Sequence, residues 1–532
     1  MSSELPDTTA GCPAESSSIS AALLIGLCLP GLLVFLVPTP AGMTASAHRL
    51  VAVAVVMAGL WMTQAIPMAA TSLLPLALFP LLGIQSSIDT AKSFVEDSLF
   101  LYLGGMLIAL GIERWGLHRR IALGIISVAG VSPRRMVIGF SLATFFLSMW
   151  ISNTATTMLM LPIGLAMLRV VEDEDSATGR GRAKQLSVPL LLALAYSSTL
   201  GGMATLVGSP TNSVAIGIYR KQLPDAPDIY FSEWLLACGP IAMFYLAVVV
   251  GSLVWKLPQT SSQDRALRNI LTDRMKSLGK MSVAERRMAW IFVSTALLWI
   301  LREPLVFGSV TVFSGWQSLL ARIVGAISSD ENLPATLLAR GAISDATVSI
   351  FMSVLIFILP SGERDVLQRQ IPLMDWSTAT KLPWDMILLF GGGFALASAF
   401  ESTHLAGWIA SSLQGPLSSQ PAWIVVAVVC MILVLLTELT SNVATINAIL
   451  PALLALAAPL NLDPRMLFVP ATLAASAGFM LPVGTPPNAI VFSTGRIPAA
   501  EMARRGLLLN LVGVPILTIG TWLLIRPILG IP

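Results

Sequence analysis

Charge is what this sequence has least of. Only 11% of its 532 residues are Asp, Glu, Lys or Arg, while 55% are hydrophobic and the mean hydropathy is +0.79. A water-soluble globule of this size could not cover its surface with so few charges, so the composition points to a polytopic α-helical membrane protein. Histidine and cysteine are scarce as well. The three histidines (His48, His118, His404) and four cysteines (Cys12, Cys28, Cys238, Cys430) stand apart, with no CxxC pair. That scatter argues against a metal or redox centre and denies an enzyme its nucleophile–base constellation. The first 20 residues hold no Lys or Arg and so lack the charged start of a cleaved signal peptide. No Asn-x-Ser/Thr sequon occurs, which fits a bacterial inner membrane. The net charge of +3 is small and says little about partners; no nucleic-acid partner is expected.

Long apolar runs are what remains. After a polar stretch at 1–19, read as a disordered tail, they lie near 20–37, 48–66 and 67–83. Region 97–131 carries Gly104-Gly105 and a charged interruption from Glu113 to Arg120, which suggests a broken span followed by an interfacial helix. From 136 to 170 runs an apolar stretch of 35 residues with Ser152-Asn153-Thr154 in its middle. A membrane crossing needs only about 20 residues. One long tilted helix is possible, but a re-entrant hairpin with the polar triplet at its tip uses the length better. Such backbone is tolerated at membrane depth only inside protein or beside a cavity. A polar loop (171–187), a span broken at Gly208-Ser209-Pro210 (188–217) and another span (232–255) follow.

The second half repeats this plan. Spans lie near 288–302 and 345–360, and a glycine-rich broken span at 384–415 contains Gly391-Gly392-Gly393. A second hairpin covers 422–459 with Ser441-Asn442-Val443 at its tip, a broken span covers 466–494, and a last helix covers about 507–528. Ser152-Asn153-Thr154-Ala155-Thr156 thus has a partner in Ser441-Asn442-Val443-Ala444-Thr445. Likewise Gly208-Ser209-Pro210-Thr211-Asn212 has a partner in Gly484-Thr485-Pro486-Pro487-Asn488. The glycines and the tips are 48 residues apart in one half (104 to 152) and 49 in the other (392 to 441). Internal duplication explains the match.

Basic residues set the expected orientation. Segment 256–287 carries eight Lys/Arg, from Lys256 to Arg287, and reads as a cytoplasmic loop. Loops 171–187, 361–383 and 495–506 fall on the same side and are basic too, whereas 218–231 has only Arg220 and Lys221 and 411–421 has none. The expectation is eleven spans plus two re-entrant hairpins in an inverted repeat, with the N-terminus cytoplasmic and the C-terminus outside.

The four polar segments are chemically suited to ions. Asn and Ser/Thr side chains donate and accept. Helix N-termini after a tip aim N–H groups and a positive dipole end at an anion, while exposed carbonyls before a break suit a hard cation such as Na⁺. No cluster of Arg or Lys surrounds the motifs, so bound cations would supply much of the positive charge. Singly, such motifs are often packing devices or kinks; in two matched pairs they suggest a midplane binding site in a transporter. Glu438, three residues before the second tip, is an intramembrane acid. A structural hydrogen-bonding role ranks slightly ahead of a functional one for it.

The two Ser-Asn motifs, and above all the run from Ala475 to Val491 (ASAGFMLPVGTPPNAIV), resemble the divalent anion/sodium symporter family over roughly residues 48–528. That family holds sodium-coupled dicarboxylate, citrate and sulfate carriers and sodium-independent dicarboxylate exchangers. The resemblance implies a multi-pass plasma-membrane homodimer in the lipid bilayer, all-α, of the elevator type, with no organic cofactor. The scaffold would be 20–131 and 288–415, joined by the basic loop 256–287 to a transport domain of 132–255 and 416–530. By similarity the anion would meet Asn153, Thr154, Ser441, Asn442 and Val443, with Ser209, Thr485 and Pro486 nearby. One Na⁺ would use Ser148, Ser152, Asn153 and Gly208, and a second Thr437, Thr440, Asn442 and Gly484. Val443 stands where many bacterial members have threonine, and the first break reads Gly-Ser-Pro-Thr-Asn instead of Gly-Thr-Pro-Pro-Asn. Both departures bear on which anion is carried. The leading expectation is Na⁺-coupled import of a small divalent anion, most plainly a C4-dicarboxylate such as succinate. Sodium-independent exchange and a sulfate or citrate carrier are the alternatives within the family, and a channel or membrane enzyme the alternatives outside it.

Overall fold

The computed structural model describes residues 21–130, 132–178, 182–258, 264–307, 310–327, 332–339, 341–417 and 420–532. The expected tail at 1–19 lies outside them. In lipid every backbone N–H and C=O must find a partner within the segment, so apolar runs fold as helices. The chain begins with α1 (Ala21–Leu36), α2 (Ala45–Thr63), α3 (Met68–Ser72), α4 (Leu74–Leu81) and α5 (Ser87–Ser93). Then come α6 (Asp97–Arg114), bent by 42° from α5, and α7 (Leu117–Ala129). Gly116, at φ 73°, takes the left-handed joint between α6 and α7 that a side chain would strain.

Next stand α8 (Pro133–Ser148), α9 (Asn153–Thr178), α10 (Arg182–Met203), α11 (Pro210–Gln222) and α12 (Phe231–Val254). Segment 256–287 contains α13 (Asp264–Ser277) and the start of α14 (Val283–Ile300). A connection follows with β1 (Leu305–Phe307) and β2 (Val310–Phe313), α15 (Trp316–Ile327) and α16 (Leu333–Leu338). After α17 (Asp345–Ile358) come β3 (Pro360–Arg364), β4 (Gln370–Pro372) and α18 (Trp376–Ala379). The rest is α19 (Asp385–Ser402), α20 (Leu405–Leu417), α21 (Ala422–Leu436), α22 (Asn442–Ala455), α23 (Arg465–Ser476), α24 (Pro486–Phe492) and α25 (Ala499–Gly520). A π-helical turn (Thr521–Ile525) joins α25 to α26 (Arg526–Ile528).

Three expectations need amending. The loop expected at 171–187 is largely helix, since α9 runs on to Thr178 and α10 starts at Arg182. Its Glu172-Asp173-Glu174-Asp175 run reads as a solvated turn, but glutamates are good helix formers and carry α9 past the apolar zone. The last helix starts at Ala499, not 507, where Glu501 pairs with Arg504 and Arg505 one turn on. The chain is also not purely helical. Two antiparallel strand pairs, β1–β2 and β3–β4, lie in the polar connections, the first built from β-branched and aromatic residues that favour strands.

Six helices among the described residues are long and apolar enough to cross a membrane, or seven with the bent α5–α6 pair. α10 is central, its span Lys184–Met203 being 94% buried. The order broken helix, paired helices, broken helix, single helix (α6–α12) recurs as α19–α25. Packing between the halves is reciprocal: α9 lies against α24, and α22 against α11.

Candidate functional site

α8 and α9 are joined by a turn at 149–152, and both pack on α10. Gly164, deep in α9, faces the Phe140 ring of α8 and Leu190 and Leu194 of α10. With Ser148 and Asn153 adjacent at the turn, the two arms therefore run antiparallel. α21 and α22 stand in the same relation to α23, around a turn at 437–441.

Each turn is tied by the same bond. Ser148 Oγ donates to Asn153 Oδ1 at 2.7 Å, and Thr437 Oγ1 donates to Asn442 Oδ1 at 2.8 Å. Both asparagines open a helix, so first-turn N–H groups gather at each tip. The arms are also fastened to the helix they share. Ser198 of α10 donates to the Asn153 carbonyl at 2.7 Å and lies 3.3 Å from Ser148 Oγ, and Thr437 reaches the Ala475 carbonyl at 2.6 Å. Gly202 faces the Asn153 amide so closely that a Cβ there would overlap it.

The two breaks repeat one another as well. Between α10 and α11 the backbone leaves the helix at 204–209; between α23 and α24 it does so at 477–485. Asn212 Nδ2 donates to the carbonyls of Gly202 (2.9 Å) and Thr205 (2.7 Å). Asn488 Nδ2 donates to those of Gly478 (3.1 Å) and Leu481 (3.0 Å), at the same spacings of 10 and 7 residues. Each asparagine thus holds its unwound segment open as a loop. Its Oδ1 is buried and has no hydrogen-bond partner among the described residues. Ser209 and Thr485 cap α11 and α24, each followed by a proline at the first helical position.

Beyond this frame the halves differ. In the first, Thr205 Oγ1 donates to the Met149 carbonyl at 2.5 Å and accepts the Gly208 N–H at 3.0 Å, locking break to tip. In the second a carboxylate does this. Glu438, 2% exposed, accepts from the N–H groups of Met480 (2.7 Å) and Leu481 (2.8 Å) and from Asn510 Nδ2 of α25 (2.5 Å). A Cβ on Gly484 would stand 2.7 Å from Glu438 Oε2, so glycine is needed where the break passes this acid. The first break is buried throughout, whereas Val483 and Pro486 of the second are exposed.

The site residues expected from sequence fall as follows. Ser148, Asn153 and the backbone of Gly208 come together, since a Cβ on Gly208 would stand 2.9 Å from the Ser148 carbonyl. Ser152 sits at the same turn, its hydroxyl accepting from the Ala155 N–H at 3.3 Å. Thr437 and Asn442 come together likewise, with Gly484 beside Glu438. Thr440 turns its hydroxyl to Thr445 (2.5 Å) and the Leu436 carbonyl (3.1 Å) instead of to that pair. Thr154 and Ser441 are half-buried at the tips, and Val443, Ser209 and Thr485 are buried. Pro486 is exposed. Ser198, Thr205, Asn212, Asn488 and Asn510 were not assigned roles from sequence. The two asparagines end the repeated Gly-x-Pro-x-Asn motifs, which is the signal that could have found them.

Chemically the donors are hydroxyl, amide and carbonyl oxygens, which suit hard cations. Among the described residues no three His, Cys, Asp or Glu side chains cluster as a metal site.

Comparison with known proteins gives the family and the fold. The family model described as "Sodium:sulfate symporter transmembrane region" matches residues 18–528. A sodium-dependent dicarboxylate transporter, SdcS, of Staphylococcus saprophyticus is 34% identical over 524 residues, covering 97% of this chain and 94% of that relative. SdcS of Staphylococcus aureus (strain NCTC 8325 / PS 47) is 34% identical over 528 residues with the same coverage. Two solved structures share the fold at low identity. One is Neisseria gonorrhoeae MtrF, from a class of antimetabolite efflux pumps (TM-score 0.51, 12% identity, 94% of this chain and 93% of that one). The other is the Alcanivorax borkumensis YdaH transporter (TM-score 0.51, 14% identity, 94% and 97%).

Proposed function

Because the chain belongs to the sodium:sulfate symporter transmembrane family, we propose that it is a secondary transporter importing a C4-dicarboxylate such as succinate with Na⁺. The observation that carries this reading is the matched pair of turns, Ser148–Asn153 and Thr437–Asn442, each beside an unwound segment rich in carbonyl oxygen. The names of the staphylococcal relatives support the cargo and the coupling ion.

In this reading one Na⁺ sits among Ser148, Ser152, Asn153 and the Gly208 carbonyl, a second among Thr437, Asn442 and the Gly484 carbonyl. Thr440 joins the second by its backbone, since its hydroxyl is held elsewhere. The substrate carboxylates are met by the Asn153, Thr154, Ser441, Asn442 and Val443 region at the two helix starts, with Ser209, Thr485 and Pro486 flanking. Bound Na⁺ offsets the dianion charge, since among the described residues no Arg or Lys is hydrogen-bonded or ion-paired to the tips. Filling both cation sites would order the tips before the anion binds, which couples the fluxes.

The topology proposed is eleven crossings and two re-entrant hairpins, N-terminus cytoplasmic and C-terminus outside, in a homodimer. The mobile part is 132–255 with 416–530, moving as an elevator against a scaffold of 20–131 and 288–415. Packing of α9 and α10 on α24, and of α12 on α25, supports treating the two transport segments as one body.

The test is uptake of labelled succinate into proteoliposomes, with an inward Na⁺ gradient or with K⁺ in place of Na⁺, and with empty or dicarboxylate-loaded vesicles. Na⁺-dependent uptake into empty vesicles is expected. Uptake that ignores Na⁺ and needs loading would replace the symporter with an exchanger; no succinate uptake alongside sulfate uptake would change the cargo.

A further inference from the structure

A groove of about 1880 Å³, with no tip residue in its lining, opens between the start of α10, the end of α12 and the start of α25. Its rim carries five basic side chains (Lys184, Lys256, Arg496, Arg504, Arg505) against two acids, Glu172 and Glu501. Arg496 is paired with Glu172, and Arg504 and Arg505 share Glu501. Lys184 and Lys256 are exposed and hold no hydrogen bond or ion pair among the described residues. The groove therefore keeps an unbalanced positive charge.

Its other wall is apolar. α12 and α25 run antiparallel, since Tyr245 donates to the Leu509 carbonyl at 2.7 Å while Ile241 lies against Gly520. This brings Trp255 and Lys256, at the end of α12, beside the first turns of α25. Arg504, Leu508 and Leu511 follow at helical spacing on one face of α25. Trp255 is 80% exposed, Leu508 58% and Leu511 45%. Arg134 fixes this corner by donating to the carbonyls of Leu257 and Trp255. A tryptophan beside a lysine at a helix end is the arrangement that sits at a membrane interface.

We propose that this groove binds an anionic phospholipid. The phosphodiester lies between Lys184, Lys256 and Arg504, and the acyl chains run along Trp255, Leu508 and Leu511. Charge complementarity selects the headgroup, because basic pockets between helices near the interface attract anionic lipid. The continuous apolar wall selects a lipid over a free anion, which would leave Leu508 and Leu511 uncovered. The proposal is independent of which anion the protein transports. The groove shares no lining residue with the tips or breaks, and is lined by α9, α10, α12 and α25 of the proposed mobile part.

The test is native mass spectrometry of the delipidated full-length protein in detergent, titrated with phosphatidylglycerol, phosphatidylcholine or glycerol phosphate. Phosphatidylglycerol should bind most tightly. Lys184→Gln and Lys256→Gln should each weaken it about fivefold, and both together about twenty-fivefold. Leu508→Asn should weaken phosphatidylglycerol while leaving glycerol phosphate unchanged. Neither lysine holds a partner among the described residues, so an unchanged melting temperature in the variants would assign any loss to the groove. Equal binding of the two lipids, or full phosphatidylglycerol binding by the double variant, would overturn the proposal. So would glycerol phosphate binding as tightly as the lipid.

Discussion

Ser148 and Asn153 face each other across a four-residue turn, and the hydroxyl of the first holds the amide oxygen of the second at 2.7 Å. That oxygen is thereby aimed at one place before any ion arrives. The same bond recurs between Thr437 and Asn442. Removing the hydroxyl while keeping the volume, by Ser148→Ala or Thr437→Val, forfeits about 1 kcal/mol of this ordering. The Na⁺ concentration for half-maximal uptake should rise about fivefold in each variant, with little change in expression. A Na⁺ curve that overlays the parent would remove the hydroxyls from the cation sites.

Gly202 tests the same asparagine from the other side. A methyl group there would overlap the Asn153 amide, and α10 has no slack at that depth. Gly202→Ala should cut uptake at least tenfold through displacement of Asn153. Gly124→Ala, where nothing lies within 4 Å, should transport like the parent.

Glu438 should matter for stability as well as for uptake. Truncation to alanine would leave the N–H groups of Met480 and Leu481 and the Asn510 amide without their acceptor. At about 1–3 kcal/mol for each orphaned buried donor, Glu438→Ala should lower the melting temperature in detergent markedly. Asn510→Ala, which removes one of the three donors, should lower it less. Equal melting of the parent and Glu438→Ala would show that the break does not depend on this acid.

Acid sensitivity is expected at Asp375, outside the spans. Ser377 Oγ, then the Thr378 N–H and Arg114, hold its carboxyl below the usual carboxylate range. A depressed value in the folded state stabilises the protein above the unfolded value, and that contribution fades as the pH falls toward the folded one. The melting difference between parent and Asp375→Asn should therefore be constant near neutrality and shrink below about pH 3.8. A difference that grows on acidification would contradict the assignment.

The tips and breaks were legible in the sequence because Ser-Asn-Thr or Gly-Thr-Pro inside an apolar run has no cheap explanation, and a second copy removes the remaining one. Their supports were not. Ser198 sits in helical sequence and Thr205 in the apolar run just before the Gly-Ser-Pro motif, where a serine or threonine is ordinarily a packing residue. Only the fold shows Ser198 reaching the Asn153 carbonyl. For Thr440 the resemblance to the family implies a cation ligand; the fold adds that its hydroxyl is engaged by Thr445 and the Leu436 carbonyl. Helix ends were misplaced at Glu172 and Glu501, because charge signals water but not loop, and a helix can leave the bilayer intact.

The reciprocal packing of α9 on α24 and α22 on α11 carries a consequence for ancestry. Each half places its post-tip helix against the post-break helix of the other, so each supports the site of the other. A half-length chain would bury these faces only by meeting a second, inverted copy of itself. Two such copies joined in one chain need not stay identical. Thr205 on one side and Glu438 on the other are separate solutions to the same closure.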